Sequence, residues 1–122
     1  MKTYKEIAEE DFNAVKKLIG FEMWNIAGQH LQQACEKQLK HWLEENNKLD
    51  IHLARTHNLR KLLRAIGDYE ADFYKIASLV ENYYFDTKYP GDDYIELNKQ
   101  EIDAAIEFYN ELIKFLEYKS KT

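Results

Sequence analysis

The chain has 122 residues and reads as one domain over 1–122, long enough to bury roughly two-thirds of its unfolded surface. Hydrophobic residues at 45% and charged residues at 32% exclude a disordered chain, and a net charge of −5 argues against a nonspecific nucleic-acid coat. A single cysteine, Cys35, rules out an internal disulfide framework and fits a reducing compartment. Met1–Glu6 turns acidic without an apolar core, and no apolar run nears the ~20 residues of a membrane span. A cytoplasmic location is therefore expected.

One proline and four glycines interrupt the chain, and apolar residues recur at threes and fours, which predicts helices throughout. The first covers about residues 5 to 18, with Ile7, Phe12, Val15 and Leu18 as its buried stripe and Gly20 as its break. The second and longest runs from about Phe21 to Asn46. Trp24, Ala27, Leu31, Ala34, Cys35, Leu39 and Trp42 share one broad face, with Gln32, Lys37, Lys40 and Glu44 mostly opposite. Gly28 inside it costs about 1 kcal/mol against alanine, so close approach of a neighbouring helix is the expected reason for it. Residues 46–55 read as a connection, and Thr56 as the N-cap of a short third helix ending at Gly67. Leu59, Leu62, Leu63 and Ile66 fall on one arc of that helix, with His57, Arg60, Lys61 and Arg64 opposite. The fourth helix runs from about Tyr69 to Tyr84, burying Phe73, Ile76, Ala77, Val80 and one of Tyr83 or Tyr84. A loop with a Pro90-Gly91 turn follows. Asn98 and Glu101 form a capping box for a fifth helix whose stripe is Ile102, Ile106, Tyr109, Ile113 and Leu116. The fold class is all-α: an antiparallel up-and-down bundle of four main helices plus one short one.

Common catalytic patterns are missing. No histidine follows a glutamate by three residues, as a di-iron bundle needs. His30, Cys35 and His41 share a helix, but Cys35 points away from His30 and His41 lies about 16 Å along the axis, so they do not chelate one metal. Neither a phosphate-cradling glycine loop nor a Gly-x-Ser-x-Gly elbow is present. No metal or other cofactor is expected. Charge is uneven: residues 51–67 hold Arg55, Arg60, Lys61 and Arg64 and no acid, so this segment is +4 and the rest −9. Arginine forks suit phosphate; a solvated face balanced by acidic neighbours is the alternative.

Three segments resemble one family. Gln32-Gln33-Ala34-Cys35-Glu36-Lys37-Gln38-Leu39-Lys40 is similar to the Q-A-x-E-K-x-L-K signature of HEPN-domain proteins (higher eukaryotes and prokaryotes nucleotide-binding). Thr56-His57-Asn58-Leu59-x-x-Leu62-Leu63 is similar to their T-H-D-L-x-x-L-L element, and Tyr84–Asp92 to their Y-x-x-T-R-Y-P-D segment. The resemblance implies a helical bundle, commonly a homodimer, often encoded beside a minimal nucleotidyltransferase as in a toxin–antitoxin pair. Its role is then either a nucleotide- or substrate-binding partner of that enzyme or a ribonuclease toxin. The family's ribonucleases carry an arginine four to six residues before a histidine; none of Arg55, Arg60 and Arg64 does so here, and Lys88 replaces the arginine before Tyr-Pro. These departures favour a noncatalytic binding module. A degenerate ribonuclease and a structural interaction protein that binds no nucleotide remain the alternatives.

Within the three segments Gln33, Glu36, Lys37, His57, Lys61, Lys88, Tyr89 and Asp92 are the ligand-binding candidates. If they converge, Lys37 and Lys88 hold phosphate charge, His57 donates a hydrogen bond and Tyr89 covers a base. Each has a plainer reading. Glu36 and Lys37 point about 100° apart and pair with residues such as Lys40 or His41, and His57 supports the first turn of its helix. Tyr83, Tyr84, Tyr89 and Tyr94 equally serve to pack the loop. Tyr4, Phe12, Phe21 and Trp24 are the expected exposed dimerisation patch.

Overall fold

In the computed structural model, which describes residues 1–121, the first helix α1 (Tyr4–Gly20) begins at a capping box. Thr3 Oγ1 accepts the Glu6 N–H at 3.1 Å, and the Glu6 carboxylate accepts the Thr3 N–H at 3.2 Å, satisfying two backbone donors that the helix leaves open. Ala8 and Val15 are fully buried. Phe12 is half-buried because its ring stacks on Tyr109 at 4.2 Å, so it is core rather than exposed patch. A turn over 21–23 reverses the chain, with Glu22 at φ 55°. α2 (Trp24–Glu45) then runs antiparallel to α1, tied to it where His30 Nδ1 meets Asp11 Oδ1 at 2.9 Å.

α2 is the central helix, and it packs against every other long element. Its apolar face is buried as expected, from Ala27 and Leu31 to Leu39 and Trp42. The expectation for its other face is corrected: Gln32 and Lys40 are buried, as is Glu36, because a second layer of chain covers them. A Cβ at Gly28 would collide with Leu97 Cδ1, so the close neighbour there is the segment entering the last helix rather than a helix itself.

After α2 the chain climbs back along it through α3 (Ile51–Arg55), capped by Asp50. α4 (Leu59–Ile66) follows, and its N-cap is Asn58, whose side chain accepts the Lys61 N–H at 3.1 Å. Thr56, the expected cap, instead accepts the Asn58 N–H and stands two residues outside the helix. Leu59, Leu62, Leu63 and Ile66 are all buried, as their arc predicts. Gly67 closes the helix at φ 81°. The single helix expected from Tyr69 to Tyr84 is two: α5 (Ala71–Val80) and a four-residue turn α6 (Tyr83–Asp86). Tyr83 is the buried tyrosine, and Ile76, expected inside, is 39% exposed.

The last helix, α7 (Lys99–Ser120), opens with the Asn98–Glu101 capping box. Its contacts with α2 run in register from Asn25–Leu97 through Gln38–Tyr109 to Trp42–Ser120, so α2 and α7 are parallel. The pairs α1/α2 and α4/α5 are antiparallel, as is α5/α7. The described residues contain seven helices and no strand, an all-α helical bundle.

Asn98→Ala removes the side-chain acceptor for Glu101 N–H and is expected to cost about 1 kcal/mol. Urea unfolding should show a lower midpoint at unchanged slope; an unchanged midpoint would mean that the cap contributes nothing.

Candidate functional site

The climb of residues 46–58 along α2 brings two of the three motif segments together. At its centre is Glu36, with no exposed surface. Its Oε2 accepts from Lys37 Nζ and Lys40 Nζ, both at 3.0 Å, and its Oε1 lies 2.9 Å from His57 Nδ1. Lys40 Nζ also donates to the Ala54 carbonyl at 2.8 Å, and Gln32 Nε2 to the His57 carbonyl at 3.2 Å. Gln33 joins through Gln32 Oε1 at 2.6 Å and Lys37 Nζ at 3.0 Å. Burial pushes the Glu36 carboxyl up, but the Lys37 charge, the His57 hydrogen bond and the Lys40 charge outweigh it, holding it below the ordinary carboxylate value.

The third segment arrives from above. Gln29 Nε2 donates to Thr87 Oγ1 at 3.1 Å, and the Thr87 hydroxyl donates to the Tyr83 carbonyl, so α6 and the turn after it are pinned to α2. Phe85 therefore meets the His57 ring edge-on at 6.0 Å and lies face to face with Tyr89 at 6.2 Å. Lys88 Nζ donates to Tyr84 Oη at 2.9 Å and sits over the rings of Tyr84 and Tyr89. That bond to the Tyr84 hydroxyl pulls the Lys88 pKa up, keeping the ammonium charged. Gln33, Glu36, Lys37, His57, Lys88 and Tyr89 thus form one connected cluster around the buried Glu36.

Two candidates stay outside it. Lys61 lies on the exposed face of α4, and Asp92 is exposed in the turn after Pro90; no hydrogen bond or ion pair among the described residues joins either side chain to the cluster. Two of the four basic residues of segment 51–67 are engaged elsewhere. Arg60 grips Glu81 with a bidentate fork at 2.9–3.1 Å, and Arg64 donates to Tyr74 Oη at 3.2 Å. Sequence reasoning missed Gln29, Gln32, Lys40, Phe85 and Thr87. A signal existed: Gln32, Glu36 and Lys40 at i, i+4 and i+8 form a polar stripe, which on a central helix demands polar partners. Burial also pushes the Cys35 thiol far up, which removes it as a nucleophile. No group of His, Cys, Asp and Glu suited to a metal ion gathers among the described residues.

The fold and this cluster define an all-α bundle with a carboxylate-centred polar node. The HEPN domain family model matches residues 1–119, and the chain belongs to the HEPN family. Its structure is similar to the crystal structure of TT1696 from Thermus thermophilus, at 22% identity and a TM-score of 0.81 over 95% of this chain and 94% of that one. It is similar also to ST0689, an archaeal HEPN homologue, at 20% identity and a TM-score of 0.76 over 98% of each chain. At these identities the likeness establishes the fold. No curated protein matches the chain in sequence. No helix among the described residues is long and apolar enough to cross a membrane.

Glu36→Gln leaves the Lys40 ammonium buried without its counter-charge and should cost ~3–5 kcal/mol in denaturant unfolding. The folded pKa of Glu36 lies below its unfolded value, so its contribution is present above the unfolded pKa and is lost as pH falls through the folded one. The variant should accordingly show a flatter loss of stability in acid. Equal stability of both proteins at neutral pH, with identical acid limbs, would remove Glu36 as the centre of the node.

Proposed function

We propose that the chain is a noncatalytic nucleotide- or substrate-binding HEPN module that works with a minimal nucleotidyltransferase, in a toxin–antitoxin-like pair. The carrying observation is the convergence of the three family segments on one face, where the partly exposed His57 ring, the Phe85 and Tyr89 faces and the Lys88 ammonium stand side by side. Lys88 has a hydroxyl and two rings as partners and, among the described residues, no carboxylate, so its charge is available to a phosphate. The rings offer a stacking surface for a base. Lys37, by contrast, already donates to Glu36 and Gln33 and supports the site more than it serves a ligand. Calorimetric titration of ATP should give binding that weakens as salt rises and by roughly two- to fivefold in Lys88→Ala, the scale of one exposed charge pair. Binding unchanged by that substitution, or absent even with the nucleotidyltransferase present, would sink this reading.

One observation favours the ribonuclease alternative: His57 is held by a buried carboxylate, an arrangement that suits a general base. The arginine that the family's ribonucleases carry four to six residues before a histidine is absent here, and single-stranded RNA should survive incubation with the protein. Metal-independent cleavage abolished in His57→Ala would place the chain in the enzyme class instead.

The same reading includes a homodimer. Phe21 is 77% exposed, and Met23 and Ile26 are exposed beside it at the α1–α2 turn, whereas Tyr4 and Trp24 are half-buried. Light scattering should give a dimer at micromolar concentration and a monomer for Phe21→Asp; a wild-type monomer at high micromolar concentration counts decisively against it.

A further inference from the structure

Glu36 decides which hydrogen-bonding atom His57 shows to solvent. The Glu36 carboxylate is ionised, with Lys37 and Lys40 both on Oε2, and an ionised carboxylate only accepts hydrogen bonds. The 2.9 Å contact between Glu36 Oε1 and His57 Nδ1 therefore requires the hydrogen on Nδ1. In the neutral ring Nε2 then carries a lone pair and no hydrogen. Oε1 holds the ring at Nδ1 and the Phe85 ring stands edge-on to it at 6.0 Å, while Gln32 anchors the backbone at the His57 carbonyl at 3.2 Å. The His57 side chain is nevertheless 55% exposed. In that neutral tautomer the nitrogen not bound to Glu36 is an acceptor, the reverse of the donor role expected from sequence.

That reversal constrains the ligand. A phosphate dianion offers acceptors alone and gains nothing from a neutral acceptor, so His57 is not the phosphate contact. What it meets must bring an O–H or N–H. His57 stands between the aromatic pair Phe85–Tyr89 on one side and the Glu36–Lys37 node on the other. A nucleotide stacked on that pair has its sugar next to the stacked base. We propose that His57 reads a sugar hydroxyl of the bound nucleotide, accepting its hydrogen at Nε2, with Glu36 as the positioning residue that fixes the tautomer. The proposal rests on the nucleotide-binding reading above and adds the part of the ligand that is discriminated.

The test compares ATP with 2′,3′-dideoxy-ATP by calorimetry on the full chain, in wild type and His57→Ala. Wild type should prefer ATP by about three- to tenfold, the range of one net hydrogen bond, and the preference should vanish in His57→Ala while dideoxy-ATP binding is kept. Equal binding of the two nucleotides to wild type overturns the proposal and leaves nucleotide binding standing; no binding of either overturns both. Nitrogen-15 NMR of the imidazole supplies a readout that a merely structural role would not move. Wild type should show the Nδ1–H tautomer of His57, and Glu36→Gln, where it folds, a mixture of tautomers with a reduced ATP preference. If that variant unfolds, the wild-type spectrum decides alone, because a dominant Nε2–H form contradicts the fixed acceptor.

Discussion

A carboxylate with no exposed surface, at the middle of the central helix, is the constraint on which the rest of the molecule turns. Burying the ionised Glu36 side chain costs several kcal/mol unless each oxygen is met by charge or a hydrogen bond. Lys37 and Lys40 come from the same helix, but they reach only Oε2. Oε1 has only a long contact from the same helix, Gln32 Nε2 at 3.4 Å, and its short partner is His57 at 2.9 Å, twenty-one residues away. The segment that carries His57 is anchored at two further points, Ala54 O on Lys40 and His57 O on Gln32. A buried charge on α2 and its polar neighbours thereby help to set the path of the chain that follows α2, because this path gives Glu36 Oε1, Lys40 and Gln32 each a partner.

The topology follows from that path. The chain climbs back along α2 as an irregular segment with one short helix rather than as a full antiparallel helix. α4 can then descend and α5 rise, and α7 descends again beside α2, so that α4 and α7 both run parallel to α2 while α1 and α5 run against it. The same ordering leaves the α6 turn at the top of the bundle, where Gln29 and Gly28 of α2 receive Thr87 and Leu97. Leu97 Cδ1 fills the space that a Cβ at Gly28 would occupy, so a side chain there would force Leu97 to shift. Site and scaffold share one cause: the residues that satisfy Glu36 and Gln29 are those that aim His57, Phe85 and Tyr89 at a common face.

The helices were legible in the sequence because amphipathic periodicity reports one buried face per element, as in Leu59, Leu62, Leu63 and Ile66. α2 breaks that logic. As the central helix it is buried on two faces, and its second face is polar; Gln32 and Lys40 read as solvent-facing because periodicity weighs hydrophobicity and not satisfiable hydrogen bonds. Thr56 and Asn58 are both good caps two residues apart, and the choice between them is made by where His57 must sit, a tertiary fact. Ile76 is apolar at the right spacing, yet α5 is a thin outer helix whose buried stripe is filled by Phe73, Ala77 and Val80. The family segments located the site; their convergence required the climb along α2, which no local pattern encodes.

Charge content and charge availability separate cleanly in this protein. The segment 51–67 is the most basic in the sequence and holds every arginine, yet Arg60 is committed to the nearly buried Glu81 through both nitrogens of its fork, and Arg64 lies against Tyr74. An arginine already matched bidentately has little to offer a phosphate, because a ligand would have to displace a carboxylate of the same geometry. Lys88 is a lone lysine in a segment that also carries Asp86, Asp92 and Asp93, and net charge alone would pass it over. Its partners are a neutral hydroxyl and two π faces, which orient an ammonium without neutralising it. Lys88 is therefore a cation that the fold orients without cancelling its charge, and it is placed beside the aromatic faces that His57 adjoins.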